Sequence, residues 1–299
     1  MLKKFIFAAL TIFAAIALLP SLGQAQQQQQ QQKASFFQRV IVTRQPRFLI
    51  NGISIAQNLR YEVVSRLEVA PSQGQGALAV RQSVVSAKLI AADPLSQATY
   101  TQALRNLAGT TFHYELNDEN KVISFRGGKR SREVKSVKAP EGNGFLMTSL
   151  IDDDGWKELA TLTFFQPPSQ KQRWVDQMFH DWSPMGSWAG ETSYTIGRKR
   201  GKRQLYSYRH TMKFQAPEKS AKGEVSPLPF ALDTADFKSM KSGGAITYDV
   251  GRARVESVEE LFHVQGVVAA TVLGQPARIQ LEEKQAFAIQ IQDQNAWSQ

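Results

Sequence analysis

The chain of 299 residues contains no cysteine. Disulfides, thiolate nucleophiles, cysteine-ligated metals and a lipid-modified cysteine anchor are therefore excluded. Stability has to come from packing and backbone pairing alone. Histidine is scarce, with only His113, His180, His210 and His263, and none falls in an H-E-x-x-H arrangement. Glu260-Leu261-Phe262-His263 is a single E-x-x-H, whereas a carboxylate-bridged metal bundle takes that motif twice with two further glutamates on helices. No G-x-S-x-G elbow is present to present a serine nucleophile. Gly197 to Lys202 is one residue too short for a phosphate loop and lacks its Ser or Thr after Lys. Asp152-Asp153-Asp154-Gly155 starts like a calcium loop but has no glutamate at the required distance. Three carboxylates there suit the positive end of a helix better. No metal, no cofactor and no catalytic residue is expected.

What is present begins with an address. Lys3 and Lys4 lead an apolar run from Phe5 to Leu19, closed by Pro20 and followed by Gly23-Gln24-Ala25. That is the layout of a cleavable signal peptide, residues 1–25, and the run is shorter than the roughly 20 residues of a spanning helix. A secreted or periplasmic destination is expected, with no transmembrane segment in the mature chain. Gln26 to Gln32 is a run of seven glutamines. Such a tract cannot bury apolar surface, and residues 26–35 read as a disordered spacer.

Period-2 alternation dominates the remainder. Leu59, Tyr61, Val63, Ser65, Leu67 and Val69 point one way, and Arg60, Glu62, Arg66 and Glu68 the other, which predicts a half-buried strand. Leu78, Val80, Val84 and Ile90 are assigned one face of the next strand. One helix stands out: Asp93 caps, Pro94 fits the first turn, Gly109 closes the end, and Tyr100, Ala103, Leu104 and Leu107 form the apolar stripe. A second helix is expected from Asp154, stopped by Pro167-Pro168, and a third from Ser169, with Trp174, Val175, Met178, Phe179 and Trp182 on one side. Strands then resume at Thr192, Tyr194 and Ile196 and run to Phe287, Ile289 and Ile291. The fold class is α+β, with mainly antiparallel curved sheets and one to three helices on one face. Composition divides it into an N-terminal β-rich lobe with one helix (36–128), a basic loop (129–144) and a C-terminal β-rich lobe with a helical Trp-rich start (145–299). Small-residue breaks at Leu107 to Tyr114 and Ser242 to Asp249, each feeding an aromatic strand, raise the idea of two related lobes.

Pro184-Met185-Gly186-Ser187-Trp188 resembles the P-x-G-x-W strand start of uncharacterised exported β-rich bacterial proteins, of the Planctomycetes and lipoprotein-like type. The pattern from Gly243-Gly244 through Tyr248-Asp249 to Val264 and Gly266 is similar too. The resemblance covers about the last half of the chain. It implies export and a β-rich fold, and it brings no assigned activity.

Net charge is +10, of which Lys3 and Lys4 supply two, and such a balance favours anionic partners. Export argues against nucleic acid. Two regions carry the function-bearing expectations. Trp156, Trp174, Trp182 and Trp188 either line a ligand cleft or build core. Arg198, Lys199, Arg200, Lys202 and Arg203 crowd a hairpin tip, where they either meet an anionic partner or guard against edge pairing. The leading expectation is a non-enzymatic binding or interaction module for an apolar or anionic envelope ligand. The rival is an exported hydrolase acting on carbohydrate or cell-wall material, with Asp152, Asp153, Asp154, Asp181 and His180 as acids and bases.

Overall fold

The computed structural model describes residues 34–50, 52–127, 153–168, 171–181, 186–216, 231–272 and 275–297. The proposed signal peptide, most of the glutamine spacer and the basic loop lie outside them. The chain runs β1 (Ala34–Ile50), β2 (Ile53–Ala56), β3 (Leu59–Pro71), β4 (Leu78–Ala92), α1 (Pro94–Leu107), β5 (Thr111–Leu116) and β6 (Val122–Arg126). It continues through α2 (Asp153–Thr163), β7 (Arg173–Asp181), β8 (Ser187–Arg200), β9 (Arg203–Gln215), β10 (Ala231–Asp249), β11 (Arg254–Val272) and β12 (Gln275–Gln292). All strands belong to one sheet in the order β6-β5-β4-β3-β1-β12-β11-β10-β9-β8-β7, with β2 paired to β1 off this path. The pairings are antiparallel, and the fold is α+β as expected.

Alternation decides the faces. Leu59, Tyr61, Val63, Ser65, Leu67 and Val69 are all buried on the face that carries both helices, here the inner face. The α1 stripe of Tyr100, Ala103, Leu104 and Leu107 buries against it. Asp93 serves this helix differently from a side-chain cap: its Oδ2 accepts a hydrogen bond from the Asn58 backbone N–H at 2.8 Å, while its carbonyl receives the Ser96 N–H. Gly109, at φ +80°, turns the chain out of the helix. Pairing of β1 with β12 over Phe37–Ile50 and Ile279–Gln292 joins the N- and C-terminal parts of the chain in the same sheet.

Two sequence expectations are corrected. Ile90 does not share the face of Val80 and Val84. Register shifts against β3 at Val64/Ser65 and Arg60/Tyr61 leave Val85 and Ile90 bulged and exposed. Each inserted residue flips the parity of the residues after it. The stretch after Ser169 is not a helix but the edge strand β7. Its even residues, Trp174, Asp176, Met178 and His180, are half-buried, and its odd ones, including Val175 and Phe179, are exposed.

Helix α2 and the residues after it lie against both wings of the sheet, which shows how strongly the sheet curves. Trp156 packs on Phe112 of β5 with ring centroids 4.9 Å apart, and Phe164 touches Phe36 and Tyr114. One residue on, Phe165 meets Trp174, Tyr194, Tyr206 and Tyr248 from the opposite wing. The helix is pinned by a buried polar chain as well. Gln38 Nε2 donates to Thr163 Oγ1 at 2.5 Å, and Gln82 Nε2 donates to Gln38 Oε1 and Ser65 Oγ at 3.1 Å. These partners satisfy groups that would otherwise be costly inside.

Candidate functional site

The inner face holds two apolar clusters. The larger lies under the helices. The smaller contains Phe48, Trp188, Phe237, Val264, Ile279 and Leu281. A polar belt runs between them. Arg44 grips Glu283 through Nε at 2.9 Å and Nη2 at 2.6 Å, both to Oε1. Burial lowers the Arg44 pKa, but attraction and hydrogen bonding to Glu283 outweigh it and leave the pKa raised. His210 is held at both ring nitrogens, Nδ1 at 2.8 Å from Thr192 Oγ1 and Nε2 at 3.0 Å from Glu260 Oε1. Tyr208 lies beside this pair, and burial, with Glu260 adding, pushes its hydroxyl pKa up. Its ring has room because its cross-strand neighbour is Gly244, where a Cβ would come within 2.7 Å of the tyrosine oxygen. On α2, Glu158 Oε1 sits 2.5 Å from His180 Nδ1.

These histidines are structural partners of carboxylates, and the geometry separates the E-x-x-H motif. Glu260 faces inward to His210. His263 faces outward, 2.8 Å from Glu282 Oε1. Among the described residues no three His, Asp or Glu side chains come together to hold a metal. Of the hydrolase candidates, Asp152 lies outside the described residues, as do the side chains of Asp153, Asp154 and Asp181. His180 is engaged by Glu158.

The tryptophans fall in different places. Trp156 is buried against β5. Trp174 stacks on Tyr194 at 4.9 Å with rings nearly parallel. Trp188 is fully buried edge-on to Phe214 and Phe262. Trp182 lies outside the described residues. The structure brings no two of the three described rings into contact; each braces a separate part of the inner face.

The basic tip becomes something larger than the sequence suggested. Arg198, Lys199, Arg200, Lys202 and Arg203 occupy the β8–β9 hairpin, where Gly201 takes φ +59°. This hairpin lies beside the β10–β11 turn, tied to it by the Val250 N–H donating to the Lys202 carbonyl at 2.8 Å. Arg252 and Arg254 join from that turn. Arg200, Lys202, Arg203, Arg252 and Arg254 edge a cleft of about 500 Å³ at one end of the sheet, with Asp249, Glu256 and Asp293 among its walls. The carboxylates are committed. Arg203 forms a two-point pair with Glu256, Arg254 meets Asp293 at 2.6 Å and Arg252 meets it at 3.0 Å. Asp249 Oδ1 accepts the backbone N–H groups of Gly251 and Arg252, which fixes the turn. Arg198, Lys199, Arg200 and Lys202 have no carboxylate partner among the described residues. The end face thus combines positioned guanidinium groups with free cations. Val250, on the β10–β11 turn, is exposed beside it. Sequence reading missed Arg252 and Arg254 because the charges are split between two turns about 50 residues apart, although the turn signal at Asp249-Val250-Gly251 was plain.

No known protein family matches the chain, and no curated protein does. Solved structures aligned with it include one described as an outer membrane lipoprotein-sorting protein domain from Vibrio parahaemolyticus. It has 11% identity over 93% of this chain and 94% of that one, with a TM-score of 0.17. Another is a DUF1329 family protein from Desulfovibrio piger, with 8% identity over 90% and 88% and a TM-score of 0.14. Overlap this loose assigns neither fold nor activity, so any function has to be built from the chain's own residues.

Proposed function

We propose that the chain is an exported, non-enzymatic interaction module whose basic end face docks on an anionic component of the cell envelope. The observation that supports this reading is the end cleft with its rim. Five cationic side chains, Arg200, Lys202, Arg203, Arg252 and Arg254, line it against three carboxylates that are already paired or tied into a turn, and Arg198 and Lys199 add to the charge of the same hairpin. An unneutralised surplus on a braced scaffold attracts polyanions without a large ordering cost. Export is supported by the Lys3-Lys4 and Phe5–Leu19 leader pattern.

Flotation with vesicles tests the reading. The protein should float with phosphatidylglycerol-rich vesicles and not with phosphatidylcholine vesicles. The variant carrying Gln at Arg198, Lys199, Arg200, Lys202 and Arg203 should stay in solution. Equal flotation of variant and wild type would refute it. The substituted side chains are exposed and tip-borne, so the variant should fold.

A further inference from the structure

The outer face of the sheet, opposite the helices, carries a trough separate from the basic end. Strand register places Arg60, Thr43, Ala286, Leu261, Gly243 and Arg209 in a single transverse row across β3, β1, β12, β11, β10 and β9. The four central positions are small or apolar. Arginine stands at both ends, about 24 Å apart at the usual interstrand spacing. Ile41, Ala288, Glu259 and Ala245 line one flank, and Lys241 closes the other beside Gly243. The open space over the row is about 850 Å³.

Two features of the backbone hold this trough open. Gly243 has φ +141°, and a Cβ there would come within 2.3 Å of the Tyr208 carbonyl. Only glycine therefore fits, and it leaves the row without a side chain at that point. The pairing of β9 with β10 also ends at Arg209↔Gly243. Beyond it β9 pairs only with β8, and β10 only with β11. Arg209 and Lys241 therefore sit on the two prongs of a fork at the end of an apolar floor.

The charge pattern selects the occupant. Arg60, Arg209 and Lys241 have no ion-pair partner among the described residues. The fork carries two cations, Arg209 and Lys241, and the outward carboxylate lining the trough, Glu259 on the flank between Ala245 and Ala288, offsets one of them. The floor offers aliphatic side chains, with no aromatic platform for a sugar. It is one residue row wide, since same-face neighbours along a strand are about 7 Å apart. We propose that the trough binds a single-chain monoanionic lipid, a long-chain fatty acid. Its carboxylate is gripped at the fork by Arg209 and Lys241, and its chain lies across Leu261, Ala286 and Thr43 towards Arg60. Two-point pairing of guanidinium with carboxylate supplies the polar anchor. The site is independent of the basic end, since Arg203 and Arg209 are about 20 Å apart along β9.

Equilibrium binding of oleate to the full chain, read by displacement of a fluorescent fatty acid, tests this. Ala286→Phe fills the middle of the row, and Arg209→Gln with Lys241→Gln removes the fork. Each should weaken oleate binding at least tenfold while the circular dichroism spectrum stays unchanged. The charge variant tests the proposal even if the bulky substitution disturbs folding. Dodecyl maltoside, with a neutral head, should compete at least tenfold more weakly than oleate. Oleate binding that survives both variants within twofold, or is absent from the wild type, overturns the proposal. So does tighter binding of oleoyl lysophosphatidylglycerol than of oleate, which would place a larger head group at the fork. Vesicle docking by the end face should be unchanged in R209Q/K241Q, and its loss there would also count against a separate site.

Discussion

Replacing Glu283 by Met should be among the most damaging single changes in this protein. Glu283 is 1% exposed, and its Oε1 takes both contacts from Arg44, 239 residues away in sequence, across the β1–β12 seam. Taking the carboxylate away leaves the Arg44 charge desolvated without its counter-charge. Breaking one side of a buried pair costs about 3–5 kcal/mol. Arg44→Met should cost a similar amount, because Glu283 would lose both contacts at Oε1. The double variant R44M/E283M removes both charges and keeps comparable volume. It should return to within about 1 kcal/mol of wild type, since apolar replacement of a whole buried pair is commonly neutral. Urea unfolding at neutral pH measures all four proteins. With a slope of about 1–3 kcal/mol per molar, each single variant should lower the midpoint by at least about 1 M. If the two single losses simply add in the double variant, the two side chains are not coupled, and Arg44 and Glu283 do not act as a buried pair. If either single variant unfolds within about 1 kcal/mol of wild type, the site is wetter than the structure indicates.

Trp156→Ala should destabilise by about 3–5 kcal/mol, because it empties a buried ring site against Phe112; the check is the urea midpoint. Trp174→Ala, at a half-buried edge, should cost less than Trp156→Ala in the same assay. Gly244→Ala should cost about 1–3 kcal/mol, since its Cβ meets both the Glu259 carbonyl and the Tyr208 ring, and thermal unfolding reads the loss. Burial pushes Tyr100 and Tyr248 up to about 12, above the ordinary value of about 10. The stability tied to their neutral forms is complete below about pH 10 and is lost as pH rises towards about 12. Tyrosinate absorbance should therefore rise late and together with loss of the native spectrum. Early, reversible ionisation of these rings without unfolding would contradict that sign.

The strands of one clean parity could be read directly. Phe287 to Ile291 alternate without interruption, Leu59 to Val69 do so except at Val64-Ser65, and α1 announces itself through Asp93-Pro94, its stripe and Gly109. Failure came where a local irregularity or an edge broke the pattern. Bulged Val85 and Ile90 cost β4 its parity, which no single strand reveals because a bulge is defined against its partner. In β7 the inward positions alternate aromatic or thioether with Asp176 and His180, so the apolar residues fell by chance at helical spacing. The basic tip was half legible. Arg198 to Arg203 are contiguous, whereas Arg252 and Arg254 reach the cleft only through pairing of β9 with β10. The outer trough left no mark in the sequence at all, because its row takes one residue from each of six strands and its main signal is the absence of side chains.

Affinity for phosphatidylglycerol vesicles as a function of ionic strength tests docking of the basic end most directly. Cations that stand free at the surface are screened over about 10 Å at 0.1 M salt. Binding should therefore weaken at least tenfold between low and high salt, and R252Q/R254Q should weaken it further at every concentration. Affinity that is indifferent to salt, or equal for neutral vesicles, would contradict the account.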